Sequence, residues 1–145
     1  EFIVAHNGNH FDRPFIEKAL SRHSMSVNLP WIDTMFDVPF KCGTKVLSYL
    51  AAEHKFLNPF SHRALFDVLT MFKVCSEYDW NDIVKRSQSP EVTVIAKVSK
   101  DNRQLAKDKG FRWDPNNYKW FKQVKECDLE AQTFDFEVEL VELQK

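Results

Sequence analysis

The chain has 145 residues, with 20 Lys and Arg against 21 Asp and Glu and 43% apolar residues. This suits a globular protein of one domain, or one domain plus a small module. Near-neutral charge excludes a uniformly basic nucleic-acid binder, and no run approaches the ~18 apolar residues of a membrane span. No signal-peptide pattern opens the chain, so neither membrane insertion nor secretion is expected and the cytoplasm is the expected compartment. Cys42, Cys75 and Cys127 are odd in number and widely spaced, without C-x-x-C pairing, which favours reduced thiols over a disulfide framework or zinc site.

In chain order, residues 2–5 form an apolar run, and apolar residues then recur at Phe11, Phe15, Ile16, Ala19 and Leu20. This pattern predicts a strand that passes through a polar turn into an amphipathic helix. At about 100° per residue, Asp12 falls among Phe15, Ile16 and Ala19 on the apolar arc. An ionised carboxylate there is costly unless paired or bound. Two readings stand side by side: Asp12 binds a metal ion, or it caps the first turn, where Pro14 suits a helix start.

Residues 27–35 predict a second short buried strand, with Pro30 at its entrance. Residues 36–43, with Pro39 and Gly43, predict a loop, and Thr44 is a plausible N-cap for a helix bearing Val46, Leu47, Leu50 and Ala51 on one face. After a linker at 55–61, with a turn at Asn58-Pro59, a longer helix is expected over 62–77. Its buried stripe is Ala64, Leu65, Val68, Leu69, Phe72 and Cys75, with Asp67 on the shoulder. A short helical turn follows at 80–86, and 87–90 reads as an interdomain boundary.

Beyond the boundary, residues 92–98 predict a strand, 101–109 a polar helix closed by Gly110, and 118–124 and 134–143 two further strands. Charge is divided here. Residues 97–125 hold nine Lys and Arg against Asp101, Asp108 and Asp114, whereas residues 126–142 hold seven acids and no base. Trp113, Tyr118, Trp120 and Phe121 are interleaved with Lys107, Lys109, Arg112, Lys119 and Lys122. Rings for stacking beside cations for phosphates suit a single-strand-binding surface, with Arg112, Trp113, Lys119, Trp120 and Lys122 as its candidates. The competing reading, that these rings form the core of so small a module, is the favoured one, because alternation over 118–121 sends at least one of Trp120 and Phe121 inward.

The second chemical signal is S-H-R-A-L-F-D, with His62 at the mouth of a helix and Asp67 on its flank. Each alone is ordinary: a surface His, a solvated Asp. Together with Asp12 they would suit a hydrolase that uses hard divalent metals, with neutral His62 as proton acceptor.

V-A-H-N-x-N-H-F-D after a strand, then W-I-D-T-M, then H-R-A-L-F-D about fifty residues on, resembles the second and third motifs of the DEDDh 3′–5′ exonucleases, similar to the proofreading epsilon subunit of bacterial DNA polymerase III. The resemblance covers about residues 2–76. It implies an α/β, ribonuclease-H-like exonuclease fold over residues 1–88 and two Mg²⁺ or Mn²⁺ ions. Asp12 and Asp67 resemble metal ligands, His62 the general base, and Asn7 and Phe11 the lining of the pocket for a DNA or RNA 3′ end. Asp33 resembles a recurring strand-end Asp outside the catalytic set. His6, His10, His23 and His54 match no catalytic role and are expected at the surface or behind the site.

The family's first motif, D-x-E on the opening strand, has no counterpart, because Asp128-Leu129-Glu130 lies on no apolar strand. The expectation is therefore an incomplete exonuclease fold, part of a longer polypeptide completed by an upstream D-x-E segment on the same or a separate chain. A DNA polymerase is a further partner that the proofreading relatives imply, in a bacterial or phage-infected cell. Residues 89–145 are expected to form a small α+β module, and G-F-R-W-D-P-x-x-Y-K-W-F looks similar to β-α-β-β modules appended to phage and bacterial DNA-processing proteins. The alternative function is a non-catalytic nucleic-acid-binding or scaffold protein that keeps the fold without the chemistry.

Overall fold

The computed structural model describes residues 1–142 and is mixed α/β, in two compact units, Glu1–Gln88 and Ser89–Lys145. In the first unit, strands β1 (Ile3–Ala5) and β2 (Trp31–Asp33) pair in parallel, Val4 opposite Ile32. Parallel neighbours need a crossover, and helix α1 (Asp12–Ser21) lies in the segment that makes it. Helices α2 (Thr34–Asp37), α3 (Leu47–Glu53), α4 (Ala64–Cys75) and α5 (Trp80–Gln88) follow. The buried centre joins Ile32, Val38, Met71, Cys75 and Ile83, with Phe2, Val4 and Phe40 packed around them.

The second strand is shorter than residues 27–35, and the expected loop at 36–43 begins as helix. Asp33 causes both changes. Its Oδ1 accepts the Met35 N–H at 3.1 Å and so caps α2, turning the chain after three residues of strand. The same carboxylate accepts Asn7 N–H at 2.8 Å on Oδ1 and Asn9 N–H at 2.9 Å on Oδ2. It thereby secures the turn that leads from β1 into α1. Gly8 is buried inside this turn, where an added Cβ would stand 2.6 Å from the Ala5 Cβ, so no side chain fits. Thr44 is not the cap of α3. Its hydroxyl accepts the Val46 N–H at 3.2 Å, and the helix starts at Leu47.

Helix α4 is shorter than residues 62–77 and turned differently from the expected stripe. Thr70, Met71, Val74 and Cys75 are its buried residues, while Leu65, Val68, Leu69 and Phe72 are exposed. The helix is apolar around most of its circumference, so periodicity alone does not choose a face; the position of β2 and α5 does. Asp67 consequently lies on the continuation of the inward face, half-buried, rather than on its shoulder. On α1, likewise, only Asp12, Ile16 and Leu20 are half-buried, and Phe15 stands 71% exposed.

The second unit is an antiparallel sheet of order β4-β5-β3-β6. Its strands are β3 (Glu91–Ala96), β4 (Arg112–Asp114), β5 (Lys119–Lys125) and β6 (Val138–Glu142), with helix α6 (Arg103–Asp108) between β3 and β4. Strand β4 was not anticipated, because three residues before a proline carry no readable alternation. The last strand is shorter than 134–143: Phe134 and Phe136 lie before it and set their rings 5.7 and 5.6 Å from that of Phe111, and Leu143 lies outside the described residues. Gly110 closes α6 as expected. At φ +80° it lets the Phe111 N–H reach the Ala106 carbonyl and its own N–H the Lys107 carbonyl, both at 2.9 Å. The turn drops Phe111 against Ala106, Val94 and Ala96 in the core.

No helix among the described residues is long and apolar enough to cross a membrane.

Asp33→Ala leaves three backbone N–H groups without their acceptor, and the first unit is expected to lose about 3 kcal/mol or more in chemical denaturation. Cys75 is fully buried, and burial pushes its thiol from the ordinary 9.0 up to about 11. In the native protein a polar disulfide reagent at pH 8 should therefore modify Cys42 and Cys127, which are half-buried, and reach Cys75 only on unfolding. The unfolded thiol ionises before the folded one, so stability should fall as pH rises from 9.0 to about 11.

Candidate functional site

Asp12, His62 and Asp67 line a single cleft in the first unit, together with Phe11, His6 and Asn58. Its volume of about 470 Å³ lies within the roughly 300–1,000 Å³ usual for small-ligand sites. Asp12 enters from the first residue of α1. The cap position belongs to Phe11, which makes no side-chain cap bond, and the Asp12 carboxylate likewise bonds no described residue. The capping alternative for Asp12 therefore finds no support in the geometry.

Asp67 enters from the first turn of α4, where its Oδ1 accepts the Asn58 amide N–H at 3.2 Å. Asn58 in turn accepts the Phe60 N–H at 3.0 Å, so the Asn58-Pro59 turn serves to orient the carboxylate. His62 precedes α4, exposed, with φ +64°. Its ring makes no bond to any described residue. A left-handed backbone is uncommon in a non-glycine residue, and here it directs an unengaged imidazole to the cleft.

Phe11 lines the cleft at 70% exposure. Asn7 does not: its φ of +62° and its N–H bond to Asp33 make it the pivot of the turn, and its carbonyl accepts the Phe11 N–H at 3.2 Å. His6, expected at the surface or behind the site, belongs to the site's frame and lines its cleft. Its Nε2 donates to the Lys45 carbonyl at 2.8 Å, which leaves Nδ1 to accept the Thr34 hydroxyl at 2.9 Å. His54 is likewise internal, bonded to the Leu50 carbonyl and the Tyr78 hydroxyl at 2.7 and 3.0 Å. His10 lies against the Phe36 ring, 5.6 Å between centroids.

The second unit holds a separate groove of about 840 Å³. Trp113 and Trp120 pair across β4 and β5 and present their rings on one face, with centroids 5.5 Å apart at 54°. Tyr118 adds a third ring 6.4 Å from Trp113. Lys97, Lys100, Arg103, Lys107 and Lys119 complete the lining, and no acidic residue contributes.

Of the five residues expected to bind nucleic acid, Trp113, Lys119 and Trp120 meet here. Arg112 pairs with Phe121 and points to the opposite face of the sheet. Lys122 turns inward, donating to the Lys109 carbonyl at 2.9 Å and to Gln132 at 3.1 Å, and burial, then the Lys109 charge, holds its pKa below the ordinary value. Lys122 thus satisfies a carbonyl at the end of α6 and is committed to the fold. Lys100 and Arg103 escaped the sequence reading because they lie before and within α6, apart from the aromatic run.

A family model described as a domain of unknown function, DUF8626, matches residues 92–141, within the second unit. No curated protein and no solved structure matches the chain.

The backbone at His62 supplies a test. His62→Gly removes only an exposed ring and accepts the left-handed conformation freely, so its stability should stay within about 1 kcal/mol of the parent. His62→Val, branched at Cβ, should lose about 1–2 kcal/mol in the same thermal denaturation measurement.

Proposed function

We propose that the first unit carries part of the active site of a metal-dependent 3′–5′ exonuclease of ribonuclease-H-like architecture, which degrades a DNA or RNA 3′ end. The observation that supports this reading is the convergence on one cleft of two stretches some fifty residues apart in sequence, one carrying Asp12 and the other His62 and Asp67.

Carboxylate oxygens are the donors that Mg²⁺ and Mn²⁺ prefer, and Asp12 and one oxygen of Asp67 are not engaged by described residues. In type the residues fit such ions; in number they are short. Among the described residues, no group of three or more His, Cys, Asp or Glu is placed to hold a metal. On this reading the remaining carboxylates come from a D-x-E segment. Such a segment would pack beside β1, which is only half-buried, and cover the exposed Phe15 of α1.

Bound ions would supply the nucleophilic water and stabilise charge on the departing 3′-oxygen. On this reading His62, with its ring at the cleft, would serve as proton acceptor, and Phe11 would offer a ring to the terminal base. The short donor set also favours a second reading, a nucleic-acid-binding or scaffold protein that keeps the fold without the chemistry.

The two are separated by a nuclease assay on the chain joined to its D-x-E segment, with a labelled single strand and Mn²⁺. His62→Ala should slow cleavage by about 10²–10⁴-fold while substrate affinity holds, and Asp67→Ala should abolish cleavage. Rates unchanged in both variants would remove the exonuclease mechanism; a parent that binds the strand without cutting it would establish the second reading.

A further inference from the structure

We infer that the groove of the second unit binds single-stranded nucleic acid, with Trp113 and Tyr118 as stacking platforms and Lys100, Arg103, Lys107 and Lys119 as phosphate contacts. Three features of the groove carry this assignment.

The first is the exposure of its rings. Phe111, Phe134 and Phe136 already fill the core beside α6, while Trp113 is 45% and Tyr118 81% exposed. The ring planes are tilted against one another, 54° between Trp113 and Trp120 and 76° between Trp113 and Tyr118. Trp113 and Tyr118 do not close into a stack of their own and keep ring surface for a base, whereas Trp120 is half-buried and packs against the core.

The second is charge. Lys97 is committed to Glu137 and Glu139 at 3.4 and 3.2 Å. Lys100, Arg103 and Lys107 form no ion pair with any described residue, and Lys119 lies opposite Asp114, whose carboxyl is held below its ordinary pKa by the Asn117 side chain and, in smaller part, by the Lys119 charge. Lys107 also sets its ammonium 5.9 Å from the Trp120 ring, so cation and stacking surface adjoin.

The third is a backbone held in an uncommon conformation to display a ring. Tyr118 has φ +49°, which a bulky residue rarely adopts. Asp114 keeps it there. Its Oδ1 accepts the N–H groups of Asn116 and Asn117 at 2.9 and 3.2 Å, and its Oδ2 the Asn117 amide at 2.7 Å. The Asn117 side chain first, and then the backbone bonds, hold the Asp114 carboxyl below its ordinary pKa. The turn is thus braced behind an outward Tyr118.

An acidic peptide would satisfy the cations but leave the exposed Trp113 and Tyr118 rings unused, whereas every nucleotide offers both a phosphate and a π-face. A strand therefore matches the whole lining.

The test uses the full chain and a fluorescein-labelled single-stranded oligothymidylate in EDTA, with a polyglutamate peptide as competitor. Tyr118→Ala and Trp113→Ala, both at exposed rings, should each weaken binding by at least about fivefold. Lys100→Gln should reduce the slope of log affinity against log salt by about 0.7. Circular dichroism of each variant confirms that the sheet is kept. Binding that is unchanged by the ring variants overturns the proposal, as does polyglutamate that competes equally and shows the same ring dependence. EDTA keeps metal chemistry out of the measurement, so failure here leaves the exonuclease reading untouched, and failure of that reading leaves this one.

Discussion

The first unit depends on one buried carboxylate. Asp33, 1% exposed, accepts N–H groups from Asn7, Asn9 and Met35, and its own N–H is held by Asp37 at 2.8 Å. A buried polar group is tolerable only when hydrogen bonds replace its hydration, and three donors from two separate turns do so here. The consequence reaches the cleft. By fixing the turn after β1, Asp33 sets where α1 begins, and α1 begins with Asp12. The residue that organises the site takes no part in its lining.

What surrounds the cleft is less closed than a parallel sheet usually is. Such strands are ordinarily covered on both faces, yet every residue of β1 is only half-buried, and large apolar side chains of α1 and α4 face outward. Leu65 at 67% exposure and Phe15 at 71% belong to helices that are otherwise well made. Apolar surface of this kind marks interaction sites. The hypothesis that a further segment adds carboxylates to the cleft therefore accounts for its short donor set and its uncovered flank together.

In the second unit core and groove share one face of the sheet, since inward Ala96 pairs with Trp120 and Trp120 with Trp113. On β3, Val92, Val94 and Ala96 face inward. Phe111, turned in by Gly110, takes the central place that the nearby tryptophans could have filled. Trp113 and Tyr118 are thereby left at the surface. Lys122, on the inward face of β5, reconciles its charge with burial by bonding the Lys109 carbonyl. Of nine cations between Lys97 and Lys125, this one serves the fold, and sequence spacing does not distinguish it from the others.

Much of the element order was legible from the sequence, because hydrophobic runs, Gly110 and the boundary before Pro90 are local signals. So were the types and order of Asp12, His62 and Asp67. Tertiary structure decided the rest. Which face of α4 is buried could not be read from a helix that is apolar nearly all round, and Asp67 moved from shoulder to inward face with that choice. Strand β4 forms because β5 offers it a partner, as three residues have no periodicity of their own. The display of Trp113 and Tyr118 depended on Phe111 filling the core. Local propensity is written in adjacent residues, whereas the partner that buries a side chain comes from elsewhere in the chain and is settled only by packing.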